Sequence, residues 1–182
     1  MNNIMISIGL VFLLGFSSVL VAQDGKTREE KKQARKEKIE REYETTREII
    51  ETKQFVLETN YLENRYGQRI PVPSSLNFIM VDSTNAVIQV GSPSGMGYNG
   101  VGGITAEGQI TDFELNKNDE KNNLSISMNI MTNLGIYDIF MNIGADGQAS
   151  ARLSGLRGGQ LTYTGRIIPQ GQSYVYKGTT TY

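Results

Sequence analysis

Asp112 and Glu114 stand two residues apart in a stretch that alternates polar and apolar side chains, so both carboxylates fall on one face of a strand. A pair of carboxylates is the minimum equipment for acid–base cleavage of a glycosidic bond. Their shared face, opposite Thr111, Phe113 and Leu115, reads as solvated, and no further carboxylate can be placed across from it on sequence grounds. Asp138 sits inside an apolar run, but its parity is opposite to that of Ile139 and Met141, which predicts an outward charge. Asn118-Asp119-Glu120 reads as a turn, because the alternating oxygen ligands of a Ca²⁺ loop are missing.

The chain contains no His, Cys or Trp. Without imidazole, serine and cysteine hydrolases of the His-dependent kind are excluded. Zinc and copper sites built on His or Cys are excluded too, as is any disulfide. A net charge of −1 argues against general nucleic-acid binding. The expectation is a protein without catalytic set, metal or cofactor, with a carboxylate-dependent hydrolase as the remote alternative.

Gly95-Met96-Gly97-Tyr98-Asn99-Gly100 matches the glycine pattern of dinucleotide-binding loops. That motif must open a helix whose N-terminus holds the pyrophosphate. Here Val101-Gly102-Gly103-Ile104 runs on into a strand, so no nucleotide site is expected. The segment 92–103 is read instead as a loop presenting Met96 and Tyr98 at a barrel rim or surface, these two being the candidate binding residues. Tyr174, Tyr176 and Tyr182 form an aromatic tail, expected either to pack Tyr174 or Tyr176 on the sheet as a final strand or to meet a glycan or partner.

Three segments must position these residues. Residues 1–22 form a nearly uncharged apolar run that stops at Gln23-Asp24, the layout of a secretory signal peptide cleaved after Ala22. An uncleaved anchor is the competing reading. A lipid anchor on cysteine is excluded, since there is no cysteine, so cleavage leaves no stable membrane anchor. Residues 23–53 hold ten of the 18 basic and nine of the 19 acidic side chains. Thr27-Arg28-Glu29-Glu30 fits a capping box, and a long charged helix follows with Ile39, Tyr43, Thr46 and Ile50 on one face. Its first half lacks such a face and is expected to project into water. Glu37 is placed to pair with Arg41. The basic cluster 31–38 reads mainly as a solvated face, with an anionic envelope surface or partner as the functional alternative.

From Phe55 onward the period changes to two. Phe55, Leu57 and Tyr61 are expected inward, against Val56, Glu58 and Asn60. Segment 68–72 carries Pro71, which limits its pairing. Segments 76–81 and 86–90 read as a hairpin, followed by strands at 109–116, 124–130, 136–143, 149–153 and 161–167 with short polar links. The fold class is mainly β: an antiparallel meander over 54–182, closed as a barrel or half-barrel or folded as a sandwich, preceded by one long charged N-terminal α-helix. The preferred arrangement lays the helix against an open side of a barrel.

The segment order resembles an exported Bacteroidetes family, domain of unknown function 4251. The likeness is carried by Phe55-Val56-Leu57-Glu58, by Gly100 to Gly108 with its Gly-Gly-Ile-Thr-x-Glu-Gly element, by Asn123 to Asn129, by Leu161 to Gly165 and by Tyr176-Lys177-Gly178. The resemblance implies a Gram-negative envelope setting, periplasmic after export, and brings no catalytic residue or ligand with it. It makes Gly102, Gly103 and Gly108 positions of backbone geometry. The expected function is a non-enzymatic periplasmic binding module for a small apolar or amphipathic ligand. The alternative is a structural or interaction protein of the cell envelope that uses the charged helix or the tyrosine tail.

Overall fold

The computed structural model of the chain describes residues 27–92, 97–155 and 159–182. The leader and the cleavage after Ala22 lie outside the described residues. Thr27 caps helix α1 (Arg28–Glu51): its hydroxyl accepts from the Glu30 amide, and the Glu30 carboxylate accepts from the Thr27 amide. The first half of α1 is exposed, whereas Tyr43, Thr46 and Ile50 are buried and Ile39 is half-buried. An apolar row that begins only halfway along thus decides which half packs. Glu37 accepts from Gln33 at 2.8 Å instead of meeting Arg41. Within the helix Lys38 pairs with Glu42, and Arg47 with Glu44 and Glu51, while Glu51 also meets Lys117 of the barrel.

Nine strands follow: β1 (Gln54–Asn64), β2 (Arg69–Pro71), β3 (Phe78–Asp82), β4 (Asn85–Val90), β5 (Ile104–Asn118), β6 (Asn123–Thr132), β7 (Gly135–Gly144), β8 (Gln148–Gly155) and β9 (Gln160–Pro169). All pairings are antiparallel, in the order β2-β1-β3-β4-β5-β6-β7-β8-β9, and β9 returns to pair with β1. β9 lies along residues 55–64 of β1, so β3 and β2 share the other edge of β1 in tandem, over 54–58 and 61–63. The meander is therefore a closed eight-stranded barrel with β2 as an extra strand, not a sandwich. Closure leaves few of the unpaired edges that invite aggregation.

Alternation fills the interior with Leu124, Ile126, Met128 and Ile130 of β6, Ile139, Met141 and Ile143 of β7, and Ala149, Ala151 and Leu153 of β8. The outer wall of these strands carries Ser125, Ser127, Asn129, Asp138, Asn142 and Arg152, with Phe140 as an apolar member 48% exposed. An apolar interior behind a mostly polar wall is the reverse of the lipid-facing pattern of outer-membrane barrels. Among the described residues no helix is long and apolar enough to cross a membrane.

Two β-bulges break the parity that the sequence implies. In β1 the register against β9 shifts between Thr59 and Tyr61, which turns Tyr61 outward beneath the Arg69 guanidinium and buries Leu62 in its place. In β5 the shift falls between Ile110 and Asp112. Ala106 and Ile110 face inward before it, Phe113 and Leu115 after it, and Thr111 is left exposed.

Antiparallel order sorts the connections into two ends. The turns 83–84, 119–122 and 145–147 share one end with the C-terminus of α1, and the helix lies across it. The Tyr43 hydroxyl donates to Asp119 at 2.6 Å, the Thr46 hydroxyl donates to the Ala145 carbonyl at 2.8 Å, and Ile50 joins the barrel core. The helix thus covers an end of the barrel rather than an open side. β4, β6 and β8 finish, and β5, β7 and β9 start, at the opposite end.

After β9 and the 3-10 turn Gln170–Gln172, residues 173–182 run up the outer wall as an extended strap, not as a further strand. Val175 packs on Val56, Phe78 and Val87, a second apolar cluster outside the barrel. Tyr174, Tyr176 and Tyr182 all face solvent, which corrects the expectation that a tail tyrosine would pack on the sheet.

Candidate functional site

The open end of the barrel holds a cavity of about 420 Å³. Leu134 from the β6–β7 turn, Gly135 and Tyr137 of β7, Leu153 of β8 and Leu161 of β9 form most of its wall, with Gln160 as a polar member. The strand pattern dictates this lining. Tyr137, Leu153 and Leu161 are the inward side chains nearest this end of their strands, beyond which only glycines share their face, and Leu153 pairs directly with Leu161. The volume lies within the range of about 300–1,000 Å³ that small-molecule pockets occupy. Another depression of about 420 Å³ runs along α1, but Arg35, Lys38, Glu42, Lys121 and Asp146 line it with charge.

One step below the rim, Tyr163 is fully buried. Its register partners are Leu62 on one side and Ala151 on the other, and among the described residues its hydroxyl has no hydrogen-bond partner. Burial, and then the neighbouring Tyr137, push its ionisation well above the ordinary tyrosine range, so the group stays a neutral donor.

The rim loop owes its shape to Asn99, which is buried. Its side-chain oxygen accepts from the amides of Val101 and Gly103, and its amide donates to Thr105 and to the Val90 carbonyl. Thr105 passes its hydroxyl to Gln89, whose side chain bonds Leu76, Tyr176 and Gly178. A satisfied polar network therefore stitches loop, sheet and strap together. Gly102 has φ +78, and a Cβ on Gly103 or Gly108 would lie 2.1 Å from the carbonyl oxygen of Val90 or Met131. These are the backbone-geometry roles expected of them. Lys177 completes the clamp by donating to Glu107 at 2.6 Å, which holds that carboxyl below the usual carboxylate range.

Residues 97–103 form turns and bends, so the glycine pattern opens no helix and makes no phosphate cradle. Tyr98 is 88% exposed on this loop, at the same end as the cavity but not in its wall. Met96 lies outside the described residues. Asp112, Glu114 and Asp138 are all exposed on the outer wall. Asn129 is opposite both Asp112 and Asp138 and donates to Asp138, so the structure does bring two carboxylates into one row. Two strand spacings, about 10 Å, separate them on a water-covered surface with no recess for a substrate. Asp119 serves as the anchor for Tyr43, and Asn118 caps its turn by accepting from the Lys121 amide. Among the described residues no three acidic side chains gather as metal ligands.

An eight-stranded antiparallel barrel, polar outside, covered at one end by a helix and recessed at the other, defines the class of protein. The chain belongs to the family described as Domain of unknown function (DUF4251), whose model matches residues 37–167. A crystal structure of a DUF4251 family protein from Bacteroides eggerthii DSM 20697 is similar, with a TM-score of 0.61 and 27% identity. The likeness covers 72% of this chain and 90% of that one. No curated protein matches the chain. The matched stretch thus begins inside α1 and ends in β9, leaving the exposed helical half and the strap outside the family match.

Proposed function

We propose that this protein is an exported, periplasmic binding module without catalytic activity, holding a small apolar or amphipathic ligand in the mouth of its barrel. The observation that carries the reading is the apolar cavity of about 420 Å³ at the end opposite α1. The leader-like residues 1–22 support export, and the carboxylates' positions on an open wall give no support to hydrolysis. N-phenylnaphthylamine, an apolar dye that brightens on leaving water, tests the cavity directly. Saturable binding to the wild type is expected, with Leu134→Asp weakening it at least about tenfold by placing an unpaired charge in the wall. A wild type that does not bind the dye, or binding indifferent to Leu134→Asp, overturns the reading.

A second reading, an envelope interaction protein, draws support from the exposed first half of α1 and from Tyr174 and Tyr182, 91% and 87% exposed. Removing residues 24–38 separates the two: loss of a partner with dye binding intact favours it.

A further inference from the structure

Exposed apolar side chains are not spread evenly over this protein. Among the described residues eleven large apolar or aromatic side chains are exposed, and of these Phe140, Tyr174 and Tyr176 lie on the side wall. The other eight come from the end of the barrel that carries the cavity. Tyr61, Tyr66 and Ile70 belong to the β1–β2 hairpin, which turns there because Asn64 at the end of β1 pairs with the cavity-wall residue Leu161. Tyr98 and Ile104 stand where the loop leads into β5, and Tyr182 joins them because the Thr181 amide donates to the Thr105 carbonyl. Met131 of β6 and Ile136 of β7 are register partners, and Ile136 also lines the cavity. The end covered by α1 has no such side chain among the described residues.

We infer that the mouth end is a docking face for a lipid bilayer, from which the cavity takes its apolar ligand. This rests on the binding reading above and names the source of the ligand. The exposed side chains rise from three separate connections around the barrel, with the cavity opening at the same end, so they share an end of the molecule rather than one contiguous patch. A planar boundary between water and hydrocarbon meets such a set more readily than the surface of a single protein partner. Their types fit that boundary: tyrosine keeps its ring in apolar surroundings and its hydroxyl in water. The same hairpin supplies cations for lipid phosphates. The Arg65 and Arg69 guanidinium groups lie 4.7 and 4.2 Å above the rings of Tyr66 and Tyr61, and among the described residues neither is ion-paired, not even with Glu63 opposite Arg69. Each CH₂ of an apolar ligand that crosses water costs about 0.8 kcal/mol, and a mouth seated on the bilayer removes that barrier. The mostly polar side wall keeps the contact peripheral.

The chain contains no Trp, so a tryptophan introduced by substitution reports on one position. Tyr98→Trp marks the mouth end and Tyr174→Trp the side wall, both exposed sites. Protein expressed from the full-length sequence is mixed with vesicles of phosphatidylethanolamine and phosphatidylglycerol, with and without bromine on the acyl chains. The Tyr98→Trp emission is expected to shift to the blue and to be quenched by brominated chains, while that of Tyr174→Trp stays as in water. The readout is positional, so attachment through the leader alone does not produce it. Ile104→Asp with Met131→Asp, neither of which lines the cavity, should weaken the vesicle response of Tyr98→Trp at least about tenfold. The same pair should leave N-phenylnaphthylamine affinity, measured without vesicles, at the wild-type value. A mouth reporter that stays as in water, two reporters that respond alike, or a response indifferent to the two aspartates overturns the docking face. A blue shift that grows with protein concentration in the absence of vesicles makes this end a contact between copies and overturns it too. In each of these cases intact dye binding leaves the binding module standing. A wild type that binds no dye overturns the module and the ligand route with it, and the reporters still decide the docking.

Discussion

Tyr43 shows how much one side chain does in this molecule. It lies on the one face of α1 that carries apolar residues, 2% exposed, and reaches across the barrel end to Asp119. Burial first, and then the hydrogen bond to Asp119, push its ionisation up to about 12. A tyrosine whose folded value is raised holds its proton more tightly in the folded state. Its contribution is whole below the unfolded value near 10 and is lost as pH rises toward 12. Tyr43→Phe should destabilise the protein by about 1 kcal/mol at neutral pH, since Asp119 is exposed and regains water. In urea unfolding followed from pH 10 to pH 12, the gap between wild type and variant should then close. A gap independent of alkaline pH would mean that the hydroxyl and Asp119 do not interact. The burial of Tyr43 was legible from its spacing to Thr46 and Ile50. Its partner was not, because nothing local ties it to a turn 76 residues away.

At the scale of elements, the strands were legible wherever alternation runs unbroken, as in β6, β7 and β9. It failed at single-residue insertions. The bulges after Thr59 and Ile110 reverse the face of every residue beyond them, and no residue type in either segment announces the insertion. The strap was illegible for a different reason. Asn77, Gln89, Asn99 and Thr105 are buried although all four are polar, because residues 173–182 and the rim loop fold over them from far away in sequence. Tyrosines looked like the anchors of that tail, yet Val175 is the one that touches Val56, Phe78 and Val87. Val175→Asp should therefore destabilise the protein by about 2 kcal/mol, a charge against apolar surface. Tyr174→Ser should stay within about 0.5 kcal/mol, as for other exposed positions. Thermal unfolding of the two variants side by side decides it. Equal effects would place the strap's attachment in its rings after all.

The whole molecule divides its labour between two ends, and that division was invisible in the sequence, where the helix and the cavity-lining residues are simply far apart. α1 covers one end, so its removal and the loss of the mouth should be separable events. Residues 28–38 are exposed throughout, and the family match begins only at residue 37. Deleting residues 24–38 should change unfolding free energy by less than about 0.5 kcal/mol. Deletion through Glu51 also takes away Tyr43, Thr46 and Ile50. Burying a large apolar side chain is worth about 1.5–3 kcal/mol, so the losses at Tyr43 and Ile50 alone reach roughly 3–6 kcal/mol. That is a large fraction of the 5–15 kcal/mol or so that a domain of this size commands. The shorter deletion should keep N-phenylnaphthylamine affinity at the wild-type value, because no described residue of the cavity wall touches the helix's end of the barrel. The longer one should lose dye binding together with the fold. If instead the shorter deletion weakens dye binding while the barrel stays folded, the two ends communicate. Ligand capture at the mouth would then be coupled to whatever the basic half of α1 meets.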